Sequence, residues 1–170
     1  DIGMDHFAKP EDELFTASHE GTLHRNFMGY TTEHHHMLIG LGISAIGDCW
    51  DGFVQNHKDL KHYREALIEG EFPILKGHNH DPKDLFHRQL ILDIMCKGQV
   101  TWTWEILNQY GLGFDWSLLD ELEGDELIHT DESGLSVTLK GRRFLRNIAA
   151  AFDARLQEST RKFAGFSKAV

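Results

Sequence analysis

Apolar and polar positions change rhythm along this chain. "MLIGLGISAI", Met37 to Ile46, is apolar almost throughout and is bounded by polar or glycine residues. A short run of that kind predicts a strand buried on both faces of a parallel sheet. Ile2 to Phe7 reads as an earlier short strand. Between them, Pro10 suits the first position of a helix, and Glu11, Asp12 and Glu13 complement the dipole of its first turn. Gly21 should end that helix. Asn56 predicts the cap of a further helix running to Glu69, with Leu60, Tyr63 and Leu67 on one face and Gly70 after it. "FPILKGHNHD", Phe72 to Asp81, then reads as a linker.

Beyond the linker the helical period dominates. Asp81 and Pro82 form an N-cap and first-position pair, Phe86, Leu90 and Ile94 make a stripe, and Gly98 closes the helix. Two shorter helices are expected near Trp102–Tyr110 and Trp116–Glu123. Leu127–Thr130 and Leu135–Val137 flank the turn Asp131-Glu132-Ser133-Gly134, which predicts a hairpin. Thr138 should cap a last helix with Leu145, Ile148, Phe152 and Leu156 on its core face. The expected fold is therefore two unlike parts. Residues 1–75 read as an α/β fragment of a parallel sheet, and residues 82–170 as an α+β, mainly helical, winged-helix-like domain. A complete (β/α)₈ barrel needs about 200 residues or more, so the first part can be only a fraction of one.

Bulk numbers narrow the function classes. The 170 residues are 41% apolar and 26% charged, which are globular values. No apolar run approaches the ~20 residues of a membrane span. The net charge of −10 argues against nucleic acid, whose binding requires a basic surface. The charge is uneven. From Lys140 onward there are eight basic residues against two acidic ones, a surplus of six positive charges. Such a tail on an acidic body predicts intramolecular docking. Cys49 and Cys96 form neither a disulfide framework nor a metal spacing, which points to a reducing, cytoplasmic setting.

The histidines invite a metal reading. His34, His35 and His36 are adjacent, and neighbours on a strand or helix point in different directions. They cannot easily close on one ion, and a polar loop is the simpler assignment. His78 and His80 alternate as a strand pair might, but their place in the linker predicts solvated side chains. No metal site is expected. Gly40-Leu41-Gly42 lacks the third glycine of a dinucleotide fingerprint. Glycine within a strand otherwise signals close approach of backbone or ligand. The end of this run, Ser44 to Gly47, is thus a candidate ligand edge, with core packing as the alternative.

"GMDHFAKPEDEL", "LHRNFMGYTT", "IGLGISAI" and "FVQN", followed by "VTLKGRRFLRNIAAAFD" and a closing "FSK", occur in this order. In that order and spacing they resemble the C-terminal portion of the oxygen-independent coproporphyrinogen III oxidases, a radical S-adenosylmethionine family of haem biosynthesis. The resemblance runs through essentially the whole chain. A haem-chaperone paralogue shares the barrel, but "LHRNFMGYTT" resembles the oxidase branch. The resemblance implies a partial (β/α)₆ barrel with a [4Fe-4S] cluster on Cys-x3-Cys-x2-Cys, and a helical C-terminal domain covering the active site. It implies S-adenosylmethionine as cofactor, an electron donor, and oxidative decarboxylation of two propionates of coproporphyrinogen III to vinyls by a deoxyadenosyl radical. The cysteine motif is absent from this sequence, so this chain alone is expected to be inactive.

Few residue roles follow from the resemblance. Ile46 matches a position that touches S-adenosylmethionine. Met28 falls where some members carry a glutamine near a second molecule of that cofactor. No catalytic residue is assigned. From charge, Arg25 and Lys9 are candidates to attract propionates. Asp5 and His6 could face the same pocket or serve as a loop anchor. Because the numbering begins at Asp1 rather than Met, the chain is expected to start inside a longer protein. Apolar barrel edges exposed by the missing neighbours would let it self-associate. The rival from another class is a partner- or nucleic-acid-binding module carried by the winged-helix-like part.

Overall fold

Leu90 and Ile94 fall one helical turn apart on a helix that buries both, and the main core grows around them. The computed structural model describes residues 1–4, 6–109 and 114–156. In chain order it runs α1 (Glu13–Glu20), β1 (His24–Asn26), β2 (Gly29–Thr31), β3 (Ile46–Asp48), β4 (Gly52–Asn56), α2 (Leu60–Ile68) and β5 (Ile74–Asn79). There follow α3 (Pro82–Lys97), β6 (Gln99–Thr101), α4 (Trp104–Gln109), α5 (Trp116–Gly124), β7 (Ile128–Asp131) and β8 (Gly134–Val137). A 3₁₀ turn, Gly141–Phe144, leads into α6 (Leu145–Ala150). The chain divides into two compact units, residues 1–32 with those from 86 onward, and residues 33–85.

In the first unit, β6, β8 and β7 form an antiparallel sheet in that order. Ile94, Leu119, Ile128, Ile148 and Phe152 are almost fully buried at its core. Trp102, Phe114 and Phe152 meet at ring distances of 4.7 to 6.1 Å, within the range of favourable aromatic contact. Buried His87 donates from Nδ1 to the Phe152 carbonyl at 2.7 Å. Thr138 accepts from the Gly141 N–H at 3.0 Å, close before the 3₁₀ turn that leads into α6, near where its sequence position predicts a cap. Leu156, in contrast, is exposed, because the helix turns off after Ala150. The hairpin, the cap at Asp81 and the two short helices agree with the periodicity, although Tyr110 lies outside the described residues.

Residues 1–32 pack with this unit rather than with the stretch that follows them. Ile2, Ala17, Leu23 and Tyr30 bury together against Leu14, Met4 and Cys96. The Tyr30 hydroxyl donates to the Met95 carbonyl of α3 at 2.9 Å. The expected boundary near residues 75–82 therefore differs from the packing. Among the described residues of Ile2–Phe7 there is no strand, only a bridge between Gly3 and His6. Helix α1 begins later than Pro10, because Asp12 caps it by accepting from the Leu14 N–H at 2.8 Å.

In the second unit β3, β4 and β5 form an antiparallel sheet in that order. The parallel, doubly buried strand expected at Met37–Ile46 is not observed. Only Ile46 enters a strand, and Met37, Ile39 and Leu41 are exposed. A strand buried on both faces needs two neighbours, and this stretch has one bridge, between Leu38 and Asp48. Gly40 lies so close to Ile46 that a Cβ would come within 2.7 Å of its backbone. The close approach that the glycine signalled is thus backbone on backbone. Asn56 ends β4 instead of capping a helix. Its amide donates to the carbonyls of Gly40 and Gly42 at 3.0 and 2.9 Å, and Asp59 caps α2. Leu60 and Leu67 of α2 are exposed, so the predicted core face is not buried. The supposed linker is strand β5.

Replacing Tyr30 by Phe removes the hydroxyl and strands the Met95 carbonyl. Thermal unfolding of Tyr30→Phe should show a loss of about 1 kcal/mol, or a Tm ~2–4 °C lower. An unchanged Tm would mean that this bond does not hold the N-terminal segment.

Candidate functional site

The turn Asn26-Phe27-Met28-Gly29 builds the candidate site. The Asn26 side chain accepts from the Met28 N–H at 2.8 Å, and Gly29, with φ 130°, turns the chain back. The resulting hairpin pairs Arg25 with Tyr30. The Arg25 guanidinium carbon sits 4.7 Å from the centre of the Tyr30 ring, a cation–π contact. His6 meets the same ring edge-on at 5.1 Å. Its Nδ1 donates to the Met4 carbonyl at 2.9 Å, which leaves Nε2 as the acceptor of the neutral ring. A Cβ on Gly29 would lie 2.9 Å from that Nε2. Glycine is needed here for both its backbone angle and its size.

The electrostatics favour binding over acid–base catalysis. Burial pushes the Tyr30 phenol up from its ordinary pKa, against the opposing pull of Arg25. It stays protonated and serves as a donor. Burial also pushes the Cys96 thiol up to about 11, with Arg25 and Lys97 opposing and Asp93 adding to the rise. Neither group can act as a nucleophile or base near neutral pH. Arg25 is different. It is half-buried, and its Nη1 has no hydrogen-bond partner among the described residues. A desolvated guanidinium with an unused N–H is suited to an incoming carboxylate.

The structure thus brings His6 and Arg25 together on Tyr30. Lys9 is exposed on the surface, and Asp5 lies outside the described residues. Met28 stands at the hairpin tip and is 84% exposed. Ile46 belongs to the other unit, where its side chain is half-buried and β3 pairs it with Gln55. His34, His35 and His36 are exposed in a loop, with His35 Nε2 2.7 Å from Glu33, as expected. His80 departs from expectation. Its side chain is only 6% exposed, because β5 continues where a linker was predicted. Sequence reasoning missed Tyr30. The hairpin signal Asn26-x-x-Gly29 places it directly across from Arg25 and could have revealed it.

The raised Cys96 pKa has two consequences. Stability gained by keeping the thiol protonated is fully present below pH 9 and is lost as pH rises through about 11. At pH 8 the exposed Cys49 should react with iodoacetamide at least about tenfold faster than Cys96, as read by peptide mass spectrometry. Equal rates would show Cys96 to be accessible and easily ionised.

No family model matches the chain. Curated relatives do. An oxygen-independent coproporphyrinogen III oxidase of Synechocystis is 44% identical over 99% of this chain. That of Escherichia coli is 40% identical over 94%, and that of Thermostichus vulcanus 40% identical over 99%. This chain spans 38%, 36% and 53% of the three relatives. Among solved structures, the Escherichia coli coproporphyrinogen III oxidase, a radical SAM enzyme, superposes with a TM-score of 0.80 at 40% identity. The match covers 91% of this chain and 37% of that one. The chain is thus homologous over nearly its whole length to the C-terminal portion of the oxygen-independent coproporphyrinogen III oxidases.

Proposed function

We propose that this chain supplies the C-terminal part of an oxygen-independent coproporphyrinogen III oxidase, a cytoplasmic enzyme that converts two propionates of coproporphyrinogen III to vinyl groups. The observation that carries the reading is the similarity at 40–44% identity across 94–99% of the chain, joined to the fold match. Within that reading, residues 33–85 belong to the end of a partial (β/α) barrel, and the helices and hairpin from residue 86 onward, with residues 1–32 packed on them, form the C-terminal winged-helix-like domain. The exposed Met37, Ile39 and Leu41 are the apolar surface that the remainder of such a barrel would cover. An electron donor is required as well.

The cofactors fit this chain unequally. A [4Fe-4S] cluster does not fit. There are two cysteines, one exposed and donating to the Gly52 carbonyl, the other half-buried and held protonated. Its ligands belong to residues outside this sequence. S-adenosylmethionine fits one position. The Ile46 backbone is engaged by β4 and overlain by Gly40, so its half-buried side chain is what remains to pack on an adenine ring. Met28 offers no donor and only a weak sulfur acceptor, so a polar contact to a second cofactor molecule is lost there. Bound together, those groups supply the oxidising chemistry. In this chain, the role of Arg25 is to hold a propionate. Tyr30, itself met by His6, lies under its guanidinium, and the half-buried thiol of Cys96 stays protonated.

A chimera tests the reading. The N-terminal part of the Synechocystis oxidase would be joined to this chain and assayed anaerobically with S-adenosylmethionine and a reductant. Decarboxylation of coproporphyrinogen III is expected from the chimera, and no cluster absorption from this chain alone. A chimera that holds its cluster and folds but releases no vinyl product would contradict the assignment.

A further inference from the structure

A second convergence of polar side chains lies away from the Arg25 cluster, where β5 leads into α3. His78 is on the strand, His80 follows it, and Asp84 stands in the first turn of the helix. His78 Nε2 is 2.8 Å from Asp84 Oδ2, and His80 Nδ1 is 4.0 Å from the same oxygen. One nitrogen or oxygen from each residue lies within 4.8 Å of the others. The side chains of His78, His80 and Asp84 are 38, 6 and 14% exposed, so the group is largely withdrawn from water. Its members are fixed from several directions. The His80 N–H donates to the Asp51 carbonyl at 2.7 Å, and the ring meets Phe53 edge-on at 4.4 Å. The Asp84 N–H donates to Asp81 Oδ1 at 2.8 Å, and the Asp81 N–H donates back to Asp84 Oδ2 at 3.3 Å.

We propose that His78, His80 and Asp84 bind a divalent transition-metal ion of the zinc type. Two imidazoles and one carboxylate are a zinc ligand set, and three protein ligands leave a fourth position for water. Bonds of ~2.0–2.2 Å in a tetrahedron place ligand atoms ~3.3–3.5 Å apart. The observed 2.8 and 4.0 Å from Asp84 bracket that span, and the two histidines offer ligand atoms within 4.8 Å of each other. The ion takes the place of the hydrogen between His78 Nε2 and Asp84, and the ring carries that hydrogen on Nδ1 instead. It ties β5, an edge strand of its sheet, to the start of α3. The cluster of His57, Asp59 and His62 offers the same ligand types within 4.8 Å, but His62 and Asp59 are 60 and 54% exposed. Holding those mobile side chains costs more conformational entropy, and they serve as the internal control.

The test is titration of the full chain with zinc by calorimetry, with cobalt absorption as a check on coordination. One tight site per chain is expected, with visible cobalt bands of tetrahedral type. His78→Gln, at a half-exposed strand position, and Asp84→Asn should each weaken that site by at least about tenfold, while His62→Gln leaves it unchanged. Weak steps from His34, His35 and His36 should persist in every variant. If Asp84→Asn fails to fold, His78→Gln decides alone. Zinc binding unaltered by His78→Gln, abolished by His62→Gln, or absent from the unmodified chain would overturn the proposal.

Discussion

Burying a tyrosine commits its hydroxyl to finding a partner, and for Tyr30 that partner is the Met95 carbonyl on α3. Much else depends on this commitment. It brings the β1–β2 hairpin against Cys96 and the end of the long helix, so that Ile2, Leu23 and Ala17 have apolar surface to cover. It also presents one face of the Tyr30 ring to Arg25 and its edge region to His6. A guanidinium held over an aromatic ring keeps its charge while shedding part of its hydration. The candidate site is therefore a consequence of packing the N-terminal segment.

That division of labour suits the proposed role. Residues that hold a carboxylate need fixed charge and an unused donor, which Arg25 has. Residues that perform electron or radical chemistry need cluster cysteines, which this sequence does not contain. The phenol and thiol beside Arg25 are both pushed upward by burial, so they resist ionisation and leave the positive charge unneutralised. The second unit brings His78, His80 and Asp84 together where a strand end meets a helix cap.

What the sequence disclosed follows the reach of each signal. Caps, turns and helical stripes are local, and Asp81, Thr138, the hairpin at Asp131–Gly134 and the stripe of Leu90 and Ile94 were all legible. Met37–Ile46 was misread because apolar content reports a preference for burial, not the presence of neighbours. Asn56 was misread because its amide serves two loop carbonyls sixteen and fourteen residues away, a pairing no local rule anticipates. His80 was assigned to a solvated linker because glycine and proline around it masked strand β5. Arg25 and His6 were chosen for their charge and place in a motif. Their meeting on Tyr30 depended on a hairpin register and a tertiary contact that the sequence only hinted at.

The central claim is that Arg25 receives a propionate. It is tested most directly by comparing two ligands on two proteins, the chimera with the Synechocystis N-terminal part and its Arg25→Ala form. Affinities for coproporphyrin III and for its methyl ester would be measured by fluorescence quenching. The account predicts that the first protein prefers the free acid and that Arg25→Ala reduces this preference by about tenfold, as expected for losing one charge-assisted contact. A preference for the free acid that is unchanged by the substitution would contradict it.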